Sequence, residues 1–154
     1  MGMSEIATRF LFTVTIKVEP PLLLGATPLG ERRNVQIAGG SFEGPRLRGA
    51  VLAGGADWIV KRADGVLLLD VRATLRTDDG ALVNMTYRGM RHGKREVIER
   101  LDRGEDVDPA EYYFRTTPYF ETSAATYLWL NGIVSVATGQ RHADGPSYRV
   151  YEVL

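Results

Sequence analysis

Two acidic residues stand next to large aromatic side chains, a setting in which a carboxylic acid can exchange protons near neutral pH. Asp57 follows the double glycine Gly54-Gly55 and directly precedes Trp58. An indole ring against the carboxyl group would exclude water, which disfavours the charged form and raises the pKa of the acid. The alternative is a turn aspartate that accepts backbone N–H bonds, with Trp58 packed in the core.

The second acid, Glu121, follows Phe120 in a segment rich in aromatic residues. Burying a carboxylate among such rings is costly without a purpose or a partner, so we interpret Glu121 as catalytic, with a structural ion pair to an arginine as the alternative. Arg115 shares strand parity with Glu121, which would put both side chains on one face. Asp57 and Glu121 are therefore the predicted catalytic residues.

Two arginines are candidates for binding a negatively charged part of a substrate. The planar guanidinium of Arg72 or Arg115 would suit a carboxylate or an enolate and would stabilise charge that develops during a reaction. Arg72 lies on the same strand face as Asp70. That face could equally be the solvent side, because the opposite face of the strand is apolar.

Three further residues, Tyr127, Trp129 and Asn131, alternate along a predicted strand over residues 127–138. Residues two apart in a strand share a face, so two amphipathic rings and an amide would meet a flat ligand together. Ordinary sheet packing is the alternative, and for Trp129 it is the simpler one. With Trp58 and the two arginines, these residues complete the predicted substrate-binding set.

Several kinds of chemistry have no support in the residue types. The chain has 0 cysteines and 2 histidines, His92 and His142, each near a glycine in a predicted turn. Neither a histidine metal site nor a Ser-His-Asp triad is easily built from them. The chain contains no Gly-x-Gly-x-x-Gly motif and no complete phosphate-binding loop. We therefore expect no cofactor and no metal.

The charge balance and the apolar runs limit the kinds of partner. The 19 basic side chains equal the 19 acidic ones, so no overall field would attract nucleic acid or an anionic membrane. No apolar run approaches the roughly 20 residues of a membrane-spanning helix, and residues 1–8 lack the layout of a secretory signal. We expect a soluble, cytoplasmic protein whose partner is a small-molecule ligand or substrate.

Alternating apolar residues predict mostly β-strands. Residues 10–18 and 66–76 alternate regularly, and Asp64-Gly65 and Asp79-Gly80 are typical of tight hairpin turns. The glycine pairs at residues 39–40 and 54–55 predict sharp bends in the sheet. We interpret residues 20–34 as a loop, because Pro20 is followed there by Pro21, Gly25, Pro28 and Gly30.

One segment has helical rather than strand periodicity. Val97, Ile98 and Leu101 recur at helical spacing among charged residues, which predicts a helix over residues 94–103. The pattern as a whole predicts an all-β fold: residues 1–154 form a single-domain antiparallel β-barrel of about 8–10 strands, with a helical insertion at about 94–111.

Five blocks of residues together resemble the family known as domain of unknown function 3237, over roughly residues 10–153. They are Gly39-Gly40 with Phe42–Pro45, Gly54–Trp58, Arg72 with Leu75–Gly80, Arg115–Thr122, and Tyr127 with Trp129–Asn131. The resemblance implies a compact antiparallel barrel with an internal ligand-binding cleft. It also implies cofactor-independent chemistry of the isomerase, cyclase or lyase type, without a catalytic set that could be transferred.

Three functions follow from these observations as hypotheses. The first is a small cofactor-independent enzyme in which Asp57 and Glu121 move protons on an aromatic or carbonyl substrate. The second is a lipocalin-like binding module that holds an apolar ligand without catalysis. The third is an assembly protein that forms a homodimer through an exposed sheet edge.

Overall fold

The computed structural model describes residues 4–154; part of the segment 1–8 considered above lies outside them. The described residues form ten antiparallel strands. They are β1 (Thr8–Val18), β2 (Leu22–Thr27), β3 (Gly30–Glu43), β4 (Arg48–Val51), β5 (Ala56–Lys61), β6 (Leu67–Thr77), β7 (Leu82–Gly93), β8 (Tyr112–Glu121), β9 (Ser135–His142) and β10 (Gly145–Val153). A helix, α1 (Arg95–Asp102), and two 3₁₀ segments, Pro109–Glu111 and Ala125–Gly132, complete the described fold.

The sheet closes on itself. Its strands follow the order β1, β10, β9, β8, β7 and β6, after which β4 and β5 share one position beside β3, and β3 pairs back with β1. This path makes a closed barrel of 8 strand positions. The predicted antiparallel β-barrel is therefore confirmed, and closure removes the exposed edges that an open sheet would have along this ring.

Alternation along each strand separates the barrel interior from its outer surface. In β6 the odd-numbered residues from Leu67 to Leu75 are buried, while Asp70, Arg72 and Arg76 are exposed. Successive side chains of a strand point to opposite faces, so a single apolar series faces inward. A polar residue therefore faces the barrel interior only where it takes the place of an apolar residue at an inward position.

The double glycine Gly39-Gly40 lets β3 change partners. Residues 31–36 of β3 pair with β5, whereas residues 40–43 pair with β4. Gly40 has φ +147°, and a Cβ atom there would overlap the carbonyl oxygen of Thr15 in β1. Glycine is needed at this predicted bend because the backbone of β1 occupies the space that a side chain of residue 40 would fill.

Two local predictions are wrong. The segment 20–34, interpreted as a loop, contains β2 and the start of β3. Its leucines, Leu22–Leu24, are all exposed, so the alternation that marks a half-buried strand is missing. Among the described strands, β2 pairs only with β3, so its other edge is unpaired. A homodimer could form through such an edge, and dimerisation stays a prediction.

The second error concerns residues 127–138. Ala125–Gly132 is a 3₁₀ segment, and β9 begins only at Ser135. The apolar residues at the start of this stretch sit in a helical turn rather than a strand, so their shared parity does not give them a shared face. By contrast, α1 lies within the predicted helix at 94–103.

The interior is filled at one end and open at the other. Phe12 packs against Phe42 and Phe120, with ring centroids 5.5 and 5.8 Å apart. At the opposite end, α1 packs beside β7 and buries Val97 and Leu101. None of the helices within residues 4–154 combines the length and apolar character needed to cross a membrane.

Candidate functional site

A cavity of about 250 Å³ opens at the end of the barrel where α1 packs. Most of its wall is apolar and comes from β1, β3, β5, β6 and β8. These apolar residues are Ile16, Val18, Val35, Ile37, Ile59, Leu67, Leu69, Val71 and Phe114, with Leu101 from α1. A mostly apolar cavity with a few converging polar groups is the usual form of a small-molecule site.

The polar side chains in this wall continue the inward-facing series of their strands. Arg33 precedes the inward Val35 in β3, and Asp57 precedes the inward Ile59 in β5. Arg91 follows Tyr87 with the same parity in β7, and Arg141 has the parity of the buried Ala137 in β9. These four strands therefore each carry one polar residue to the wall of the cavity.

Asp57 is partly buried and lines the cavity. Its Oδ1 accepts a hydrogen bond of 3.1 Å from the backbone N–H of Asp70. Burial raises the pKa of Asp57 from 3.8 to about 7, although the Asp70 N–H and the charges of Arg33 and Arg91 oppose the rise. The carboxyl group is therefore about equally protonated and ionised near neutral pH, as a general acid or base requires.

Arg91 is the most deeply buried of the charged residues in the wall, with 7% of its surface exposed. Its Nη2 lies 3.9 Å from Oδ1 of Asp102, an acid that is itself about half exposed. Burial lowers the pKa of Arg91 to about 10, and the charges of Arg141 and Arg33 lower it further, against the opposing charge of Asp102. The guanidinium is still positively charged near neutral pH, in surroundings that compensate it poorly.

Two buried tyrosines lie beside the charged groups. The hydroxyl of Tyr87 donates a hydrogen bond of 3.1 Å to the hydroxyl of Tyr148, and the rings meet edge to face with centroids 5.1 Å apart. Burial raises the pKa of both tyrosines, and the nearby Asp57 charge raises it further. Both hydroxyls therefore remain protonated near neutral pH and are hydrogen-bond donors rather than bases.

These groups together can move a proton and stabilise an anion. Asp57 has a pKa suited to accepting or donating a proton, and three guanidinium groups face the space beside it. Fixed positive charges in a site with little water stabilise negative charge that develops on a substrate. Among residues 4–154, no group of three His, Asp or Glu side chains is arranged to hold a metal ion.

Asp57 alone among the residues predicted from the sequence lines this cavity. Trp58 is 58% exposed on the outer surface, because it follows Asp57 directly in β5 and so points the opposite way. This corrects the expectation that the indole forms a wall against the carboxyl group. The apolar surroundings of Asp57 come instead from the inward residues of neighbouring strands.

Arg72, Glu121 and Arg115 are also outside the barrel. Arg72 is exposed on β6, as the solvent-side alternative requires. Glu121 accepts a hydrogen bond of 3.2 Å from the amide of Asn84, and Arg115 donates one of 2.8 Å to the carbonyl of Phe114. The shared face predicted for Glu121 and Arg115 is real, but it is the outer face of β8.

Tyr127, Trp129 and Asn131 lie near the other end of the barrel. The hydroxyl of Tyr127 donates a hydrogen bond of 3.0 Å to Asp79, in the turn that follows β6. The ring of Trp129 packs against the core beneath the guanidinium of Arg46, at 3.6 Å. These contacts are structural, and no part of this group reaches Asp57.

Asn131 ties the 3₁₀ segment to the end of β8. Its side-chain oxygen accepts the N–H of Thr122, and its amide group donates to the carbonyl oxygens of Thr122 and Leu128, at 2.9 to 3.0 Å. We expect Asn131→Ala to lower the free energy of unfolding by about 3 kcal/mol, since three bonds are lost and each contributes about 1 kcal/mol. Urea denaturation would measure this loss.

A ligand-binding role for Asn131 would give a different result. The Asn131→Ala protein, once folded, is expected to bind any cavity ligand as the unmodified protein does. Weakened ligand binding in a variant with unchanged stability would contradict the structural role and restore the sequence-based prediction.

The sequence interpretation missed Arg33, Tyr87, Arg91, Arg141 and Tyr148 as site residues. The alternation of β7 could have revealed Arg91. Val83, Met85 and Tyr87 are inward, and Arg91 lies at a later inward position of the same strand. A charged residue that continues a buried series is costly, so it marks a candidate site. The same signal does not reveal Arg33, because residues 20–34 lack the alternation of a strand and so predict a loop.

Comparison with known proteins places this barrel among related ones. A crystal structure of a conserved protein of unknown function from Rhodopseudomonas palustris superimposes with a TM-score of 0.95, at 37% identity over 99% of this chain and 100% of the other. A β-barrel-like protein from Acinetobacter baumannii gives a TM-score of 0.86 at 38% identity, over 99% of each chain. These two structures have the same fold as this chain over nearly its whole length.

A more distant similarity extends only to the fold. An enzyme from Penicillium herquei superimposes with a TM-score of 0.74 over 100% of both chains, but at 19% identity. At the sequence level, the R. palustris protein is a UPF0311 protein, 38% identical over 149 residues and 97% of each chain. The model of the family described as "Protein of unknown function (DUF3237)" matches residues 6–153. The chain therefore belongs to the DUF3237 family, as the blocks of sequence suggested.

Proposed function

We propose that this protein is a cofactor-independent enzyme that performs acid/base chemistry on a small carbonyl compound in the barrel cavity. The observation that carries the proposal is Asp57, a carboxyl group with a pKa of about 7 in a mostly apolar cavity. Ionising an acid in such surroundings lowers the stability of the fold. Large pKa shifts of this kind are concentrated at functional sites.

The proposed chemistry begins with proton transfer from carbon. The ionised carboxylate of Asp57 removes a proton from the carbon next to the substrate carbonyl, and the electron pair of that C–H bond moves onto the carbonyl oxygen. The guanidinium groups of Arg33 and Arg91 stabilise the resulting enolate. Where the substrate is a β,γ-unsaturated carbonyl compound, the enolate is conjugated, and return of the proton from Asp57 to the γ carbon completes an isomerisation. Where the β carbon carries a leaving group, the enolate re-forms the carbonyl and expels that group with its electron pair, and the proton on Asp57 passes to it in a lyase reaction.

This assignment differs from the one drawn from the sequence in its supporting residues. Asp57 keeps its catalytic role, but Glu121 faces solvent and takes no part. Arg33, Arg91 and Arg141 take over the role first given to Arg72 and Arg115. The related fold of an enzyme from Penicillium herquei is compatible with catalysis in such a barrel, and at 19% identity it supports no residue role.

Proton exchange tests the proposal without knowledge of the natural substrate. We expect the protein to accelerate the exchange of α protons for deuterium in at least one of 2-tetralone, phenylacetone and phenylpyruvate, dissolved in D₂O and followed by NMR. Asp57→Asn should reduce the enzyme-dependent rate at least about 100-fold, the usual contribution of a general base.

Glu121→Gln is the matched control, because it removes a carboxylate on the outer surface. Its exchange rate should equal that of the unmodified protein. Acceleration that survives in Asp57→Asn would contradict the role of Asp57. The absence of acceleration with every compound would contradict the enzyme proposal.

A binding module without catalysis is the second candidate, and the predominantly apolar wall favours it. In that case the cavity should retain an apolar compound through purification, and native mass spectrometry would detect it. A retained compound that leaves chemically unchanged after prolonged incubation, together with no deuterium exchange, would support the binding module over the enzyme.

A further inference from the structure

Three arginine side chains converge on the cavity from three different strands. They are Arg33 of β3, Arg91 of β7 and Arg141 of β9. The two acids that line the cavity besides Asp57 are Glu19 and Asp102, and both are exposed at its rim. The enclosed part of the wall therefore carries an excess of positive charge.

Arg91 has the least compensated of these charges. It is buried, yet its nearest carboxylate oxygen, on Asp102, is 3.9 Å away, at the outer limit of an ion pair. Its guanidinium carbon lies 5.9 Å from the centroid of the Phe114 ring, which gives only a weak attraction. A buried charge without a close partner is costly, so the site is prepared for an anion that is supplied from outside.

We propose that the cavity binds small organic carboxylates, with the carboxylate held by Arg33, Arg91 and Arg141 and the apolar part of the molecule against the surrounding wall. This inference rests on the proposed function in that it names the class of substrate for the same cavity. The planar guanidinium fork matches a carboxylate in two parallel hydrogen bonds.

The character of the wall distinguishes an organic carboxylate from an inorganic anion. The apolar side chains of β1, β3, β5 and β6 that face the arginines include Ile16, Val35, Ile59 and Leu69. Phosphate or sulfate would leave these surfaces against water, whereas an alkyl or aromatic group would cover them. A neutral apolar compound would cover them too, but it would bring no negative charge to the three guanidinium groups.

The carboxylate position is next to the proposed catalytic acid. Arg33 pairs in register with Ile59, two residues along β5 from Asp57, and Arg91 lines the same cavity. A carboxylate bound by the arginines therefore brings the adjacent carbons of the ligand toward Asp57. The arginines would thereby position the substrate as well as bind it.

Matched pairs of compounds test this inference by binding alone. Benzoate, phenylacetate and hexanoate would each be titrated into the protein beside their neutral amides, by isothermal calorimetry and by NMR, with inorganic phosphate as the bare anion. We expect at least one carboxylate to bind at least tenfold more tightly than its amide and than phosphate.

Substitution of the arginines makes the test specific to the cavity. Arg91→Met should weaken carboxylate binding at least tenfold, and Arg141→Met should weaken it in the same direction if the first variant does not fold. Arg72→Met is the matched control, since Arg72 is exposed on the outer surface of the same barrel, and it should leave binding unchanged.

The inference is overturned if no carboxylate binds more tightly than its amide, if phosphate binds as tightly, or if the cavity arginine variants bind like Arg72→Met. Its failure differs from failure of the proposed function. Carboxylate binding that depends on the arginines, without deuterium exchange, would remove the enzyme and keep the binding site. Asp57-dependent exchange on neutral ketones, with no carboxylate bound more tightly than its amide, would keep the enzyme and remove the carboxylate site.

Discussion

Near pH 8, the Asp57→Asn variant is expected to be more stable than the unmodified protein by up to about 4 kcal/mol, because the fold disfavours the charged form of this acid. Burial raises the pKa of Asp57 from 3.8 to about 7. Between about pH 4 and pH 7, Asp57 therefore keeps its proton in the folded protein but has released it in the unfolded chain. The free energy of unfolding falls across this interval, and the full cost is present above pH 7.

Asparagine avoids this cost because it resembles the protonated acid. Its side-chain oxygen can still accept the N–H of Asp70, which keeps the one hydrogen bond that Asp57 makes. The attraction between the Asp57 charge and the charges of Arg33 and Arg91 is already included in this value, because both arginines contribute to the pKa of about 7.

Urea denaturation at a series of pH values would measure this effect. The stability difference between Asp57→Asn and the unmodified protein should be small near pH 4 and should grow until about pH 8. Glu121→Gln, which alters an exposed acid, should show no comparable growth. A difference that stays constant with pH would mean that the native surroundings do not disfavour the charge of Asp57.

The Gly40→Ala variant is expected to lose at least about 4 kcal/mol of unfolding free energy, a loss reserved for severe mechanisms. Gly40 has φ +147°, which an alanine adopts only with strain, and its added Cβ would overlap the carbonyl oxygen of Thr15. Relieving that overlap would require β1 to move away from β3, against the pairing that closes the barrel.

Gly54→Ala provides a control for backbone strain alone. Gly54 also has a positive φ, +111°, but no atom within 4 Å would meet the added Cβ. Its substitution should cost about 1 to 3 kcal/mol, the range for a strained backbone position. Both variants would be compared by urea denaturation, and an equal loss in the two would contradict the role of the β1 contact.

The sequence predicted the barrel because its evidence is local and regular. The alternation in β6 and the Asp-Gly turns on either side of it are confirmed, and so is the helical spacing of Val97 and Leu101 in α1. The errors lie where the local rule does not apply. In β2 three consecutive leucines are exposed, and in Ala125–Gly132 apolar residues turn in a 3₁₀ helix.

The site was harder to predict because it depends on which face of each strand is inward. Asp57 was singled out for its neighbour Trp58, yet adjacent strand residues point in opposite directions, so the two could never share a wall. Its true partners, such as Arg33 and Arg91, come from strands that are distant in sequence and meet only when the barrel closes. That convergence is a property of the closed sheet and has no local signature.

The alternation of inward and outward residues has a consequence for how such barrels diversify. Because neighbouring positions in one strand serve the cavity and the outer surface separately, a substitution can alter what the cavity accepts without altering what the molecule presents to solvent. Selection for a new ligand and selection for solubility then act on interleaved but independent sets of positions. A barrel of this kind can change its chemistry one residue at a time while its exterior stays the same.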